Sequence, residues 1–202
     1  MRVPWALLMA GLGGLATAGV VVGGAWVLNT TGTYIDKQPI DPPARVGAYL
    51  RYDKIDVRSS GRPDIQQKIL EQNAKSSELL SQAHGGAAAV VQLYAGRDLR
   101  QQLSVQIYRA PSAHPLYVPY EDYQRYRLAK PTQSAEEFGE VSCVVRNDPT
   151  PAGQPPGPNG THTSLCSRTS KALTVEVRPV GDLADQPDDV AALVDSLWNA
   201  IT

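Results

Sequence analysis

The sequence predicts an α+β fold, an antiparallel sheet with helices packed on one face, preceded by one N-terminal transmembrane helix. Three observations lead there. An uncharged apolar run opens the chain, two period-two alternations of apolar residues sit in its middle, and a one-sided helical pattern closes it. With 202 residues, 42% hydrophobic and 19% charged, the chain can bury a core and lacks the composition of a disordered protein. Its formal net charge of -1 leaves no basic footprint, so no nucleic acid is expected as a partner.

Residues 5–28 carry no charged side chain and exceed the roughly 20 residues a helix needs to cross a hydrocarbon core. Ala16-Thr17-Ala18 has the form of a signal-peptide cleavage site. Cleavage there would leave the wholly apolar stretch 19–28 as a new N-terminus, so the run reads as an uncleaved anchor in the lipid bilayer. Arg2 precedes the span without an acidic neighbour, which puts a short N-terminus in the cytoplasm and the remainder outside. The expected localisation is therefore the cell membrane, single-pass, with an extracytoplasmic C-terminal domain. Gly19 with Gly23, and Ala10 with Gly14, let helix backbones approach closely and allow weak self-association through the span.

Residues 29–45 contain Pro39, Pro42 and Pro43 without apolar periodicity, the pattern of a Pro-rich tether. The extracytoplasmic α+β domain is expected over 46–202. A strand is predicted over 48–57. A helix opens at Pro63, with Asp64 in its first turn and a broken stripe of Ile65, Ile69, Leu70, Leu79 and Leu80, and stops at Gly85-Gly86. Val91, Leu93 and Ala95, then Leu103, Val105 and Ile107, alternate with more polar neighbours across the turn residues Gly96-Arg97-Asp98, which is a hairpin. A further helix is predicted to open at Pro119. Strands follow over 141–146, briefly at Leu165 and Cys166, and over 173–178.

The last helix opens at Pro187, with Asp188 and Asp189 at the positive end of its dipole. Val190, Leu193, Val194, Leu197, Trp198 and Ile201 form its apolar face. The surface expected to receive it comprises Val91, Leu93, Val105, Ile107, Val141, Val145, Leu173, Val175 and Val177, with Cys143 on the same side. The resulting order is β-α-β-β-α-β-β-β-α.

Cys143 and Cys166 are the two cysteines, and in an exported domain they form a disulfide most simply. A redox pair or a metal site fits poorly, because there is no C-x-x-C and only His162 lies near. The proline- and glycine-rich residues 147–163 between them read as a mobile loop. Asn29-Thr30-Thr31 and Asn159-Gly160-Thr161 match the N-glycosylation pattern, which matters only in a eukaryotic secretory route. The excess of Arg over Lys, with much Ala, Gly and Pro, is that of a high-GC bacterium.

The chemistry-bearing features are few. Tyr117, Tyr120, Tyr123 and Tyr126 recur every third residue, interleaved with Arg125 and Arg127. Exposed, this set is a candidate binding surface that could stack on sugar rings or grip a protein. The competing reading packs the rings over the sheet in a chain with a single Phe. His84, at a helix end, and His114 and His162, in loops, read as solvated residues. No metalloprotease, nucleophile-elbow, Walker or dinucleotide motif occurs, so the chain reads as non-enzymatic, with no cofactor and no metal.

A single span, a Pro-rich tether, Cys143, a loop, Cys166-Ser167-Arg168 and the strand Leu173-Thr174-Val175-Glu176-Val177 together resemble uncharacterised single-span exported membrane proteins of actinobacteria. The resemblance implies a location and a style of fold; it transfers no site. The expected function is a membrane-anchored extracytoplasmic binding or interaction module of the cell envelope, with an envelope protein or glycan as partner. The alternative is a small-ligand carrier or sensor with a pocket between sheet and helices. A sizeable apolar cavity there would favour the alternative, and a filled core the first reading.

Overall fold

The computed structural model describes residues 35–56, 63–157 and 160–202. The expected span, the acceptor pattern at Asn29 and the start of the tether lie outside the described residues. Among the described residues, no helix is long and apolar enough to cross a membrane.

Eight strands form one sheet: β1 (Arg45–Val46), β2 (Tyr49–Arg51), β3 (Ala89–Ala95), β4 (Gln102–Tyr108), β5 (Gln133–Phe138), β6 (Val141–Asn147), β7 (Thr161–Thr169) and β8 (Thr174–Val180). Their spatial order is β1-β2-β3-β4-β8-β7-β6-β5, and every neighbouring pair is antiparallel. Among the described residues two α-helices join them, α1 (Pro63–Ala83) and α2 (Pro187–Ile201). The α+β class and antiparallel sheet are as the sequence predicts. Residues 109–132 carry the chain from β4 to the far edge, so that the β5–β8 meander returns and closes β8 against β4.

The local signals explain most of these elements. Gly85 (φ 67°) and Gly86 (φ 89°) end α1, and the Gly86 amide reaches back to the Ser81 carbonyl at 2.8 Å, the bond of a glycine C-cap. The β3–β4 turn closes with the Gly96 amide on the Gln101 carbonyl at 3.0 Å. Gly181 sits at φ 83°, and a Cβ there would lie 2.6 Å from the Arg100 carbonyl oxygen, so no larger residue fits where β8 leaves the sheet.

Register assigns the faces. Leu103, Val105 and Ile107 oppose Tyr94, Gln92 and Val90 on one side and Pro179, Val177 and Val175 on the other. Cys166 opposes both Val177 and Cys143. This face is sealed by α2: Val105, Ile107, Val175, Val177, Val190, Val194 and Leu197 are all wholly buried in one cluster. Leu93 and Ala95 point the other way and pack with Ile69 of α1. The two helices thus lie on opposite faces, and Val91 and Leu93 do not receive the C-terminal helix. The reason is that β3 is apolar on both sides, so its alternation alone leaves the parity open. Trp198 is also only half-buried, at the margin, where the Arg168 guanidinium lies 4.8 Å from its ring centroid.

The second face beyond α1 is polar, yet covered. Tyr108 donates to Glu176 at 2.8 Å in a buried pair, and the His84 ring at the end of α1 stacks on Tyr108 at 4.1 Å. His84 is therefore a packed residue and not a solvated one. Ser142, Ser167 and Thr174 are buried on this face as well.

Burial pushes the Tyr108 hydroxyl up to about 12, with the charge of Glu176 adding to the shift. Burial raises Tyr94 further; its hydroxyl donates to the Pro43 carbonyl at 2.6 Å. Tyrosines of the unfolded chain ionise near pH 10 and so lose their protons first. The stabilisation is complete below about pH 10 and is lost as pH rises towards 12. Chemical denaturation at about pH 9 and about pH 11.5 should show a loss of about 2 kcal/mol or more, with tyrosinate absorbance appearing only on unfolding for these two residues.

Other expectations are corrected as well. Residues 35–44 do not swing free: the folded unit starts at Ile35. The Asp36 carbonyl accepts from Ala88 (2.8 Å), the Gln38 carbonyl from Arg109 (2.8 Å) and the Pro42 carbonyl from Arg51 (2.6 Å), while Ile40 packs on the core. No helix opens at Pro119; the segment is irregular, with one turn over 123–127. β5 was not foreseen, because Gln-Ser-Ala-Glu-Glu-Phe has little apolar alternation to betray an edge strand. Finally, β7 is nine residues long, which shortens the excursion between the cysteines to 148–160.

The Cys143–Cys166 disulfide forms between directly opposed residues of β6 and β7, and both cysteines are wholly buried under α2.

Candidate interaction surface

Residues 109–132 cross the polar face of the sheet and are hung from it mainly by their own backbone. The Ser112 amide donates to Thr169 Oγ1 (3.0 Å), the Leu116 amide to Ser142 Oγ (3.0 Å), and Thr174 Oγ1 donates to the Ala110 carbonyl (2.7 Å). At the other end the Ala129 amide donates to the Thr150 carbonyl and the Ala152 amide to the Arg127 carbonyl, both at 2.8 Å. The excursion 148–160 is thus tied to the crossing segment at its base, through 150–152, and does not behave as a loop without contacts. Residues 158 and 159 of it lie outside the described residues.

The segment cannot be helical for a local reason. Pro111, Pro115, Pro119 and Pro131 each remove a donor, and tyrosines three apart drift around a 3.6-residue helix without defining one face. A single turn forms instead. Asp122 Oδ1 accepts the Arg125 amide (3.3 Å), the Leu128 amide returns to the Tyr123 carbonyl (3.0 Å), and Arg127 takes φ 53° between them.

This turn brings the six candidate residues onto one pinned segment. Tyr117, Tyr120 and Tyr126 are 79%, 91% and 65% exposed, so they do not pack over the sheet; Tyr123 is half-buried. Arg125 and Arg127 are exposed and, among the described residues, neither has an ion-pair partner. The neighbouring acid is occupied: Glu121 accepts from the Thr132 amide (2.6 Å) and hydroxyl (2.7 Å). What remains outward is mainly aromatic and cationic, beside the Asp122 carboxylate that holds the turn.

The histidines are dispersed. His114 Nε2 lies 3.9 Å from Glu137, and His162, in β7 and not in a loop, pairs through Nδ1 with Asp185 at 2.5 Å. Among the described residues, no group of three or more His, Cys, Asp or Glu side chains could hold a metal ion.

Concave surface lies elsewhere. One cleft of about 280 Å³ runs between the end of the sheet and α2, past Tyr49, Gln101, Leu193 and Asp189. A second, of about 410 Å³, shares Tyr49 and Gln101 and is bounded by Arg45, Arg97 and Asp98. Sequence reasoning missed both, because their linings come from β1, β2, two turns and α2, and no contiguous pattern joins them.

Fold and surface together define an antiparallel α+β domain with a continuous buried core and an outward aromatic-cationic segment. No protein-family model, curated protein or solved structure matches the chain.

Proposed function

We propose that this protein is a membrane-anchored extracytoplasmic interaction module of the cell envelope, non-enzymatic, docking an envelope partner through Tyr117, Tyr120, Tyr126, Arg125 and Arg127. The observation that carries the reading is the exposure of three tyrosines on a segment held by the scaffold. Large exposed rings lose little conformational freedom on docking, and guanidinium groups without internal partners favour an anionic or carbonyl-rich surface. A carrier or sensor with an apolar pocket between sheet and helices is less well supported, because the apolar residues of the sheet and α2 are buried against one another in a single cluster and the cleft at their margin is lined by polar as well as apolar side chains. The apolar span at 5–28, a disulfide and the resemblance to exported actinobacterial proteins support the location.

The test uses cells expressing the full-length chain with a photo-crosslinking residue at position 120 or 126, and at the exposed helix position 67 as control. One discrete adduct from 120 and 126 but not from 67 is expected, in carbonate-washed membranes that retain the chain. The triple variant Y117A/Y120A/Y126A should lose about tenfold or more in adduct with its melting temperature unchanged, as for a set of aromatic contacts at the centre of an interface. An adduct indifferent to the triple substitution, or a chain released by carbonate, would overturn the reading.

A further inference from the structure

The two clefts that share Tyr49 and Gln101 differ in net charge: Asp189 is the one charged side chain lining the smaller, and Arg45 and Arg97 outnumber Asp98 in the larger. In the smaller, Asp189 has no ion-pair partner among the described residues, and Leu193 supplies an apolar wall. In the larger, Arg45 and Arg97 are exposed and likewise without an ion-pair partner. The one other acid there, Asp98, is engaged by the Arg100 amide at 3.2 Å. At the junction the Tyr49 hydroxyl donates to Gln101 Oε1 at 2.9 Å, which occupies the amide oxygen and leaves the NH₂ of this lining residue as a donor. Tyr49 itself is only 7% exposed. Its hydroxyl is held above its ordinary value by burial first, then by Asp189 and Asp98, so Asp189 is close enough to be felt at the junction.

From this arrangement we propose that the joined clefts bind a short free-ended peptide, its ammonium at Asp189, its carboxylate at Arg45 and Arg97, and a peptide carbonyl on the Gln101 amide. The complement is dipolar. A simple cation would leave the arginines unmatched, a simple anion would leave Asp189 unmatched, and a neutral apolar ligand would desolvate the charged side chains of both clefts without return. The volumes are near or within the roughly 300–1,000 Å³ of small-ligand clefts, enough for two or three small residues across the junction. This site is separate from the tyrosine surface and goes beyond the docking role proposed for it.

The test is calorimetric titration of the purified full-length chain with trialanine, N-acetyl-trialanine and trialanine amide. Trialanine should saturate below about 10 mM, and each blocked form should bind about twofold to fivefold more weakly, the loss of one solvent-accessible charge contact. In D189N the N-acetyl form should bind as well as trialanine while the amide remains weaker; in R45Q/R97Q the pattern should reverse. Y117A/Y120A/Y126A should bind trialanine like the unaltered chain. Equal binding of all three ligands by the unaltered chain, or no saturation with trialanine at about 10 mM, would overturn the proposal.

Discussion

Leu197→Ala should destabilise the domain by about 2–5 kcal/mol, and removal of residues 188–202 should leave it unfolded. Leu197 is wholly buried, with Val194 and Val190 one and two turns before it on the same stripe of α2, against Val105, Val175 and Val177. The truncation opens a cavity in a layer that has no spare side chain to fill it, so the loss of transfer free energy is joined by a packing loss. Against a typical domain stability of about 5–15 kcal/mol, losing every residue of that stripe exceeds what the sheet can supply alone. Trp198→Ala is the informative contrast. Its ring is half-exposed under Arg168, so its cost should fall below the ~3–5 kcal/mol of a buried Trp. Urea denaturation of the two variants side by side checks the ranking; a larger loss for Trp198→Ala would mean that α2 seats the other way round.

Replacing both cysteines by alanine should cost about 3 kcal/mol. The bond joins residues 23 apart, and closing a loop of that size removes unfolded-chain entropy of about that magnitude. Both cysteines are wholly buried, so a mild reductant should not reach the bond in the native state and should cleave it once denaturant exposes it. Non-reduced peptide mass spectrometry should find Cys143 joined to Cys166, with thiol labelling appearing only across the unfolding transition. Two labelled thiols in the native protein would defeat the assignment and remove one support for the exported topology.

What could be read from the sequence is what leaves an apolar period. The β3–β4 hairpin, the strands at 141–147 and 174–180, and α2 all bury one stripe and were legible. β5 was not, because an edge strand with Glu136 and Glu137 needs no apolar stripe. Residues 35–44 looked like a tether because their attachment is through carbonyl oxygens, which every residue has and no sequence advertises. The face under α2 was assigned correctly for β4, β6 and β8 but reversed for β3, where α1 covers the second side. For the candidate surface, the six residues were visible as a run, yet their exposure was not: it depends on prolines and an Asp122 turn that replace the expected helix. The clefts around Tyr49 had no linear signal.

The mounting of residues 109–132 has an evolutionary consequence. Apart from Lys130, which donates to Thr161 Oγ1, the hydrogen bonds named between this segment and the sheet or the 148–160 excursion use the segment's main chain and the scaffold's hydroxyls or main-chain groups. Selection can therefore rewrite Tyr117, Tyr120 or Tyr126 without loosening the frame that carries them, much as an antibody loop varies on a constant framework. Relatives sharing Ser142, Thr169 and Thr174 should keep the crossing path while diverging in what it displays, and the same property makes positions 117–126 a natural place to build a library of new binding specificities.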